Sequence, residues 1–274
     1  MTDIADYANT LPPSSRLGSV ADMLSEEDLP SPVDMFRRSI IQILQYGTEP
    51  RLEENGFIGR LLALGVVAAA EAYFRAVLSA CIELCPVAQS GAASKQINLG
   101  GLLWHGKEGF SRSAFEHASF ASGDELIRAC KDYLSIKLED SKFKILLNEY
   151  ERVCLIRHGI VHADGLLPGR NAVQLDVPRY AKPVRIVIRY AQLQDIAAVI
   201  NTLVLTLNRE LFVKMCERWA INWRTRADWD PALERTTFRR LWTTFHSADE
   251  ITASGRSKIT NTKCMAEVKA QYGI

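Results

Sequence analysis

An all-helical bundle is the fold this sequence predicts, and three observations predict it. Residues 57–84 form a long run that is apolar nearly all round and ends before Pro86, the mark of a central core helix. Two further stretches, after Ser141 and at 191–219, repeat apolar residues at the helical period. Only two short segments, AVQLDV and VRIVIRY, alternate as strands do. The expected architecture is four to five long helices with one small, late β-hairpin.

Taken in order, residues 1–32 read as a flexible acidic tail, with Pro12, Pro13, Ser14, Ser15 and Pro30 and few periodic apolar positions. The bundle is expected over 33–219. Ser31-Pro32 starts a helix through Met35, Ile40, Ile41 and Leu44 that stops near Gly47. The core helix 57–84 follows. Residues 86–123 are irregular and rich in small residues, with Trp104, Phe110, Phe115 and Phe120 interspersed. So long a connection suggests either short helices or a lid. Asp124 caps the next helix, through Leu126, Ile127, Cys130, Tyr133 and Leu134. Asp140-Ser141 caps another, with Phe143, Leu146, Leu147, Tyr150, Cys154 and Val161 on its apolar face. Gly165, Pro168 and Gly169 break that helix. The two alternating runs then place a hairpin at about 172–190, separated by Pro178 and Lys182-Pro183. The helix at 191–219 closes the bundle. Residues 220–274 form an extension with one helix near 231–246.

Composition excludes little. The formal net charge is +1, so no global field marks a nucleic-acid binder, although a local basic surface would suffice for one. Six cysteines (Cys81, Cys85, Cys130, Cys154, Cys216 and Cys264) include no C-x-x-C pair, and read as buried thiols in a reducing compartment. The N-terminus lacks the pattern of a signal peptide. The apolar run around Leu61 to Ala70 is short for a bilayer and soon meets Glu71 and Arg75. A cytoplasmic protein without a membrane span is expected.

The chemistry concentrates in ERVCLIRHGIVHADG, residues 151–165, which places Arg157, His158, His162 and Asp164 at the end of a core helix. Charged groups where an apolar stripe should continue often mark a functional site. On an ideal helix His158 and His162 lie about 40° apart, and Arg157 about 140° from His162. A second copy of the helix, related by a two-fold axis, would bring both pairs into one cleft. These residue types suit phosphodiester cleavage without a metal. An imidazole can take a proton from a ribose 2′-hydroxyl or give one to the leaving 5′-oxygen. A guanidinium can hold the non-bridging oxygens as charge builds. In-line attack by the 2′-hydroxyl leaves a 2′,3′-cyclic phosphate and a 5′-hydroxyl, and restricts such an enzyme to RNA.

R-H-G-I-V-H resembles the R-x-x-x-x-H signature of the HEPN superfamily, helical-bundle proteins that are commonly dimers and include ribonucleases of toxin–antitoxin, CRISPR-associated and anti-phage systems. In that family the residue after the Arg is usually Asn, Asp or His, and His158 fits. The resemblance implies an endoribonuclease with Arg157 and His162 as catalytic residues and His158 assisting. It also implies a homodimer with a composite site, an RNA substrate, an antitoxin or defence-complex partner, and no cofactor. The run AAAEAYFRAVL is similar to the family's earlier helix, which implies that Glu71 could orient Arg157. Toxins of the family paired with a nucleotidyltransferase often carry a Tyr two residues after the His. This chain has Asp164 there, so control by adenylylation is not expected.

Plainer readings stand beside these. Arg and His favour helix C-termini because they offset the dipole. A HEPN fold can also serve as a catalytically inert dimerisation or interaction module. The signature occurs a second time, from Arg112 to His117 in GFSRSAFEHASF, in the irregular segment and with Ser113 after its Arg. His158 and His162 have zinc-compatible spacing, but no Glu makes H-E-x-x-H and Asp164 is the only nearby third ligand. Glu71 has Arg75 one turn on as an alternative partner. Trp219, Trp223, Trp229 and Trp242 with Arg224, Arg226, Arg239 and Arg240 could stack on single-stranded RNA, but packing of a C-terminal helix is the reading favoured.

Overall fold

The structure, a computed structural model, describes residues 4–9, 15–106, 109–138, 141–255 and 259–274. Among them every regular element is a helix, and the only pairing of strand type is one isolated antiparallel bridge between Leu166 and Arg185.

The α-helices are α1 (Pro32–Tyr46), α2 (Glu49–Glu54), α3 (Gly56–Leu84), α4 (Pro86–Ala92), α5 (Leu99–His105), α6 (Gly123–Leu134), α7 (Ser141–His162), α8 (Gly169–Gln174), α9 (Tyr190–Arg218), α10 (Glu234–Phe245), α11 (Ala248–Ser254) and α12 (Asn261–Tyr272). Helix α1 starts as its sequence suggests: Pro32 sits in the first turn and the Ser31 hydroxyl accepts the Asp34 amide at 3.3 Å. Helix α6 starts earlier than expected. Ser122, not Asp124, occupies the cap position, and the Glu151 carboxylate of α7 takes the Gly123 amide at 3.0 Å. A tertiary acceptor thus does what a local cap was expected to do. The capping role of Asp140 lies outside the described residues.

Helix α3 is the hub. It packs on α1, α6, α7 and α9, which is why its sequence is apolar on most sides. Val66, Ala70, Tyr73, Phe74, Val77, Leu78 and Cys81 are completely buried. Helix α9 lies against α3 and α7 and contributes Leu193, Ile200, Leu203, Leu207 and Leu211 to the same core. By length and composition Gly56–Leu84 and Tyr190–Trp223 are apolar enough to cross a bilayer. The shorter run at Leu61 to Ala70 understates this. In the fold, α3 and α9 pack on each other.

Residues 86–123 hold short helices: α4, α5 and a 3₁₀ turn at Phe110–Phe115. Phe115 and Phe120 are buried, and the rings of Phe115, Phe120, Phe74 and Tyr150 form a chain with centroids 5.8–6.1 Å apart. Tyr150 donates its hydroxyl to the Phe120 carbonyl at 2.7 Å. The segment is thus pinned into the core by its aromatic residues.

The expected hairpin at 172–190 is replaced by two different structures. The first half of its first run, 172–174, is the end of α8, Leu175 and Asp176 follow as a turn, and Val173 is 80% exposed. Six alternating residues are too few to separate a strand from two turns of helix. The second run lies extended against the exit of α7. Leu167 N–H donates to the Val184 carbonyl at 3.0 Å, and Ile186 N–H to the Gly165 carbonyl at 2.8 Å. Two glycines make room for it. A Cβ on Gly59 of α3 would run into the Ile188 carbonyl. One on Gly159 of α7 would come within 2.8 Å of both the Leu166 carbonyl and Ile186 Cδ1. The extended segment is therefore wedged between α3 and α7 where neither helix has a side chain.

The extension after 219 packs back on the bundle. Trp219 and Trp223 are buried, and α10 touches α1, α3 and α9. Asn208 of α9 donates to the Phe245 carbonyl at 2.9 Å, and Asp34 of α1 accepts the Ala248 amide at 2.9 Å. Arg224 pairs with Glu234 and lies over the Trp219 and Trp229 rings. Arg226 pairs with Asp228. Trp219, Trp223 and Arg224 thus serve packing; Arg226 is exposed, as are Arg239 and Arg240 on α10.

Candidate functional site

The site occupies the last two turns of α7. The buried face of α7 (Phe143, Leu147, Tyr150, Val153 and Cys154) follows the 3.6 period onto the α3 and α9 core as far as Cys154, whereas Val161, expected on that face, is 44% exposed. The helix ends in a turn with Asp164 and Gly165 at positive φ, where the Gly159 carbonyl accepts the amides of Ala163 and Gly165 at 3.2 and 3.1 Å.

His158 and His162, one turn apart, are both exposed and their rings meet with centroids 4.8 Å apart at 47°. The helical spacing thus delivers the imidazole pair that the sequence implies. Arg157 is half-buried and makes no hydrogen bond or ion pair to another described residue. Its charge reaches the buried side of α7. There burial pushes Tyr150 well up and the Cys154 thiol up to about 12, and the Arg157 charge opposes both shifts.

Glu71 does not engage Arg157. Its carboxylate, on a residue 8% exposed, takes Arg75 at 2.9 Å and the Phe120 amide at 3.4 Å. The i, i+4 neighbour wins because a nearly buried acid needs a close partner. Glu71 and Arg157 nonetheless flank the same two groups, since the Glu71 charge adds to the upward shift of both Tyr150 and Cys154. Asp164, its side chain 92% exposed, accepts Arg185 through both its carbonyl and its carboxylate. It ends the helix and ties down the extended segment. Among the described residues no three His, Cys, Asp or Glu side chains group as metal ligands.

Sequence reasoning does not single out three further residues at the site. Arg60 and Arg185 frame the turn after His162. Arg60 donates to the Ile186 carbonyl at 3.3 Å, and both guanidinia lie beside Gly165. Asn171, on α8 and 4% exposed, donates to the Leu155 carbonyl at 2.7 Å and is 3.2 Å from His158 Nδ1. It lies next to a run that reads as a strand, which hides it. An Asn just after a Pro-Gly helix exit is the only signal available.

The second match to the signature is built differently. Arg112 lies in the 3₁₀ turn, and His117 Nε2 is 3.1 Å from Asn98 Nδ2. Beside α7, a groove of about 730 Å³ is lined by Val153, Ile156, Leu167, Ile186, Ile196 and Val199, with Glu149, Arg152 and Asp195 among its polar residues. No family model matches this chain, and neither a curated protein nor a solved structure matches it.

Proposed function

We propose that this chain is an endoribonuclease of HEPN type that needs no metal and acts in a toxin or anti-phage defence role in the cytoplasm. The observation that carries the reading is the exposed His158–His162 pair beside an Arg157 that no described residue engages, at the end of a core helix. A guanidinium without such a partner can take a phosphate bidentately. An exposed imidazole can move the proton of a 2′-hydroxyl or of a leaving 5′-oxygen. In this mechanism Arg157 holds the non-bridging oxygens, His162 transfers the proton, and the 2′-oxygen displaces the 5′-oxygen to leave a cyclic phosphate. The homodimer in which two such pairs share one cleft rests on the family resemblance and two-fold symmetry; the groove along α7 and α9 is lined by none of Arg157, His158 and His162.

The test is cleavage of total RNA in EDTA by wild type, Arg157→Ala and His162→Ala, with end-group analysis. The expected result is 2′,3′-cyclic phosphate ends from wild type alone. Cleavage that survives both substitutions overturns the site. The alternative is an inert HEPN interaction module, favoured by the apolar lining of the same groove; a folded, dimeric wild type that cleaves no RNA would select it.

A further inference from the structure

We infer that Asn171 is a positioning residue that locks His158 in the Nε2–H tautomer, so that His158 meets the RNA phosphate as a hydrogen-bond donor and leaves proton transfer to His162. This rests on the ribonuclease reading for its consequence, but not for its geometry.

The Leu155 carbonyl oxygen can only accept, so at 2.7 Å it must face the NH₂ end of the Asn171 amide. This settles which end of the amide is nitrogen, an assignment that usually rests on the surrounding network. The same nitrogen is 3.2 Å from His158 Nδ1. One amide proton goes to Leu155 and the other is left for His158, so Nδ1 must accept. In the neutral ring the proton then sits on Nε2. Asn171 is 4% exposed, so water cannot readily replace its amide as the partner of Nδ1. Helix α8 holds it in place, with the Ala172 amide donating to the Pro168 carbonyl at 2.9 Å.

The consequence is a division of labour between two adjacent imidazoles. With Nδ1 occupied and Nε2 protonated, neutral His158 has no lone pair for a 2′-hydroxyl proton, but it presents one N–H to a phosphate oxygen. His162 makes no hydrogen bond to a described residue, so it keeps the freedom an acid–base group needs. Arg157 and His158 are thus the charge-holding pair, and His162 the proton carrier.

The experiment is long-range ¹H–¹⁵N NMR of the imidazoles in the full chain, at a pH where the rings are neutral, on wild type and Asn171→Asp. His158 in wild type is expected to show a protonated Nε2 and an unprotonated Nδ1. In Asn171→Asp the carboxylate accepts where the amide donated, and the His158 proton is expected to move to Nδ1. A wild-type His158 protonated at Nδ1 overturns the inference, as does a tautomer unchanged in a folded Asn171→Asp. If that variant does not fold, the wild-type spectrum decides alone. Asn171→Leu is the kinetic companion: about tenfold lower kcat on RNA with KM little changed. The two readings fail separately. A wild type with the expected tautomer and no RNA cleavage removes the ribonuclease proposal and leaves the tautomer lock standing.

Discussion

The chain contains the same six-residue pattern twice, and the two copies fold into different objects. At 157–162 the pattern lies on regular α-helix, so His158 and His162 fall on one face and their rings meet. At 112–117 it begins in a 3₁₀ turn whose Phe115 is buried; Glu116 pairs with His105 and His117 with Asn98, while the Arg112 side chain is exposed and, like that of Arg157, makes no hydrogen bond or ion pair to a described residue. Sequence spacing sets geometry only through the element that carries it. In a long helix, i and i+4 are neighbours, whereas a short irregular segment anchored by aromatic residues has no such rule.

The sharpest way to break this comparison is to mutate both copies. His162→Ala and Arg157→Ala are each expected to lower RNA cleavage by about 10² to 10⁴-fold. Arg112→Ala and His117→Ala, folded as judged by circular dichroism, should stay within about twofold of wild type. The reverse pattern would move the site to residues 112–117.

The next effect is on stability. Gly159 lies between the two imidazoles in sequence and sits where the extended segment crosses α7. Gly159→Ala forces a methyl group to within 2.8 Å of the Leu166 carbonyl, and Gly59→Ala drives one into the Ile188 carbonyl. Both should destabilise, by about 1–3 kcal/mol for Gly159 and more for Gly59. Near the other copy, Gly101→Ala meets Glu116 Oε2, the Ser113 hydroxyl and Ser113 Cβ, the last at 2.7 Å and fixed to a buried residue, so it should destabilise about as much as Gly159→Ala. Thermal melts in which Gly59→Ala costs the most, with Gly159→Ala and Gly101→Ala close together below it, would agree; Gly101 as the worst would show that the 112–117 region is the more rigidly packed.

The long helices and the imidazole pair are legible in the sequence because one period governs both. Leu147, Tyr150 and Cys154 face the core as their spacing says, and His158 and His162 continue the same helix on its open side. The fate of residues 172–190 is not legible. AVQLDV alternates over too short a stretch, and α8, which takes in its first three residues, is anchored by a tertiary bond from Asn171 to the Leu155 carbonyl that local pattern does not encode. Glu71 is left open for a related reason: sequence offers two partners, and only packing puts Arg75 and the Phe120 amide against its carboxylate.

A smaller effect probes how closed the helix is beneath the imidazole pair. Cys154 lies one turn before His158, buried, with its thiol pushed up to about 12 by desolvation. Cys264 is only partly buried. Iodoacetamide at neutral pH, read by mass spectrometry, should modify Cys264 first and leave Cys154 untouched until the protein is denatured. Early labelling of Cys154 would mean that α7 opens at its C-terminal end, against the fixed geometry on which the contrast between the two copies depends.

The smallest effect separates activity from stability in any pH profile. His246 is stacked on Trp242 with centroids 3.6 Å apart, and burial lowers its pKa below the ordinary 6.5, against the opposing pull of Asp34 and Glu250. Well above pH 6.5 the ring is neutral in both folded and unfolded chains and contributes no slope. As pH falls through 6.5 the unfolded chain takes up the proton first, so stability declines until the folded-state pKa is passed. His246→Phe keeps a ring against Trp242 and removes the proton, so its melting temperature should fall less than that of wild type between about pH 7 and 5. If cleavage in this variant still declines over the same range, the decline belongs to the site on α7. If the decline disappears with His246, the acid limb reports unfolding of the bundle's C-terminal packing, and the pH profile says nothing about His162.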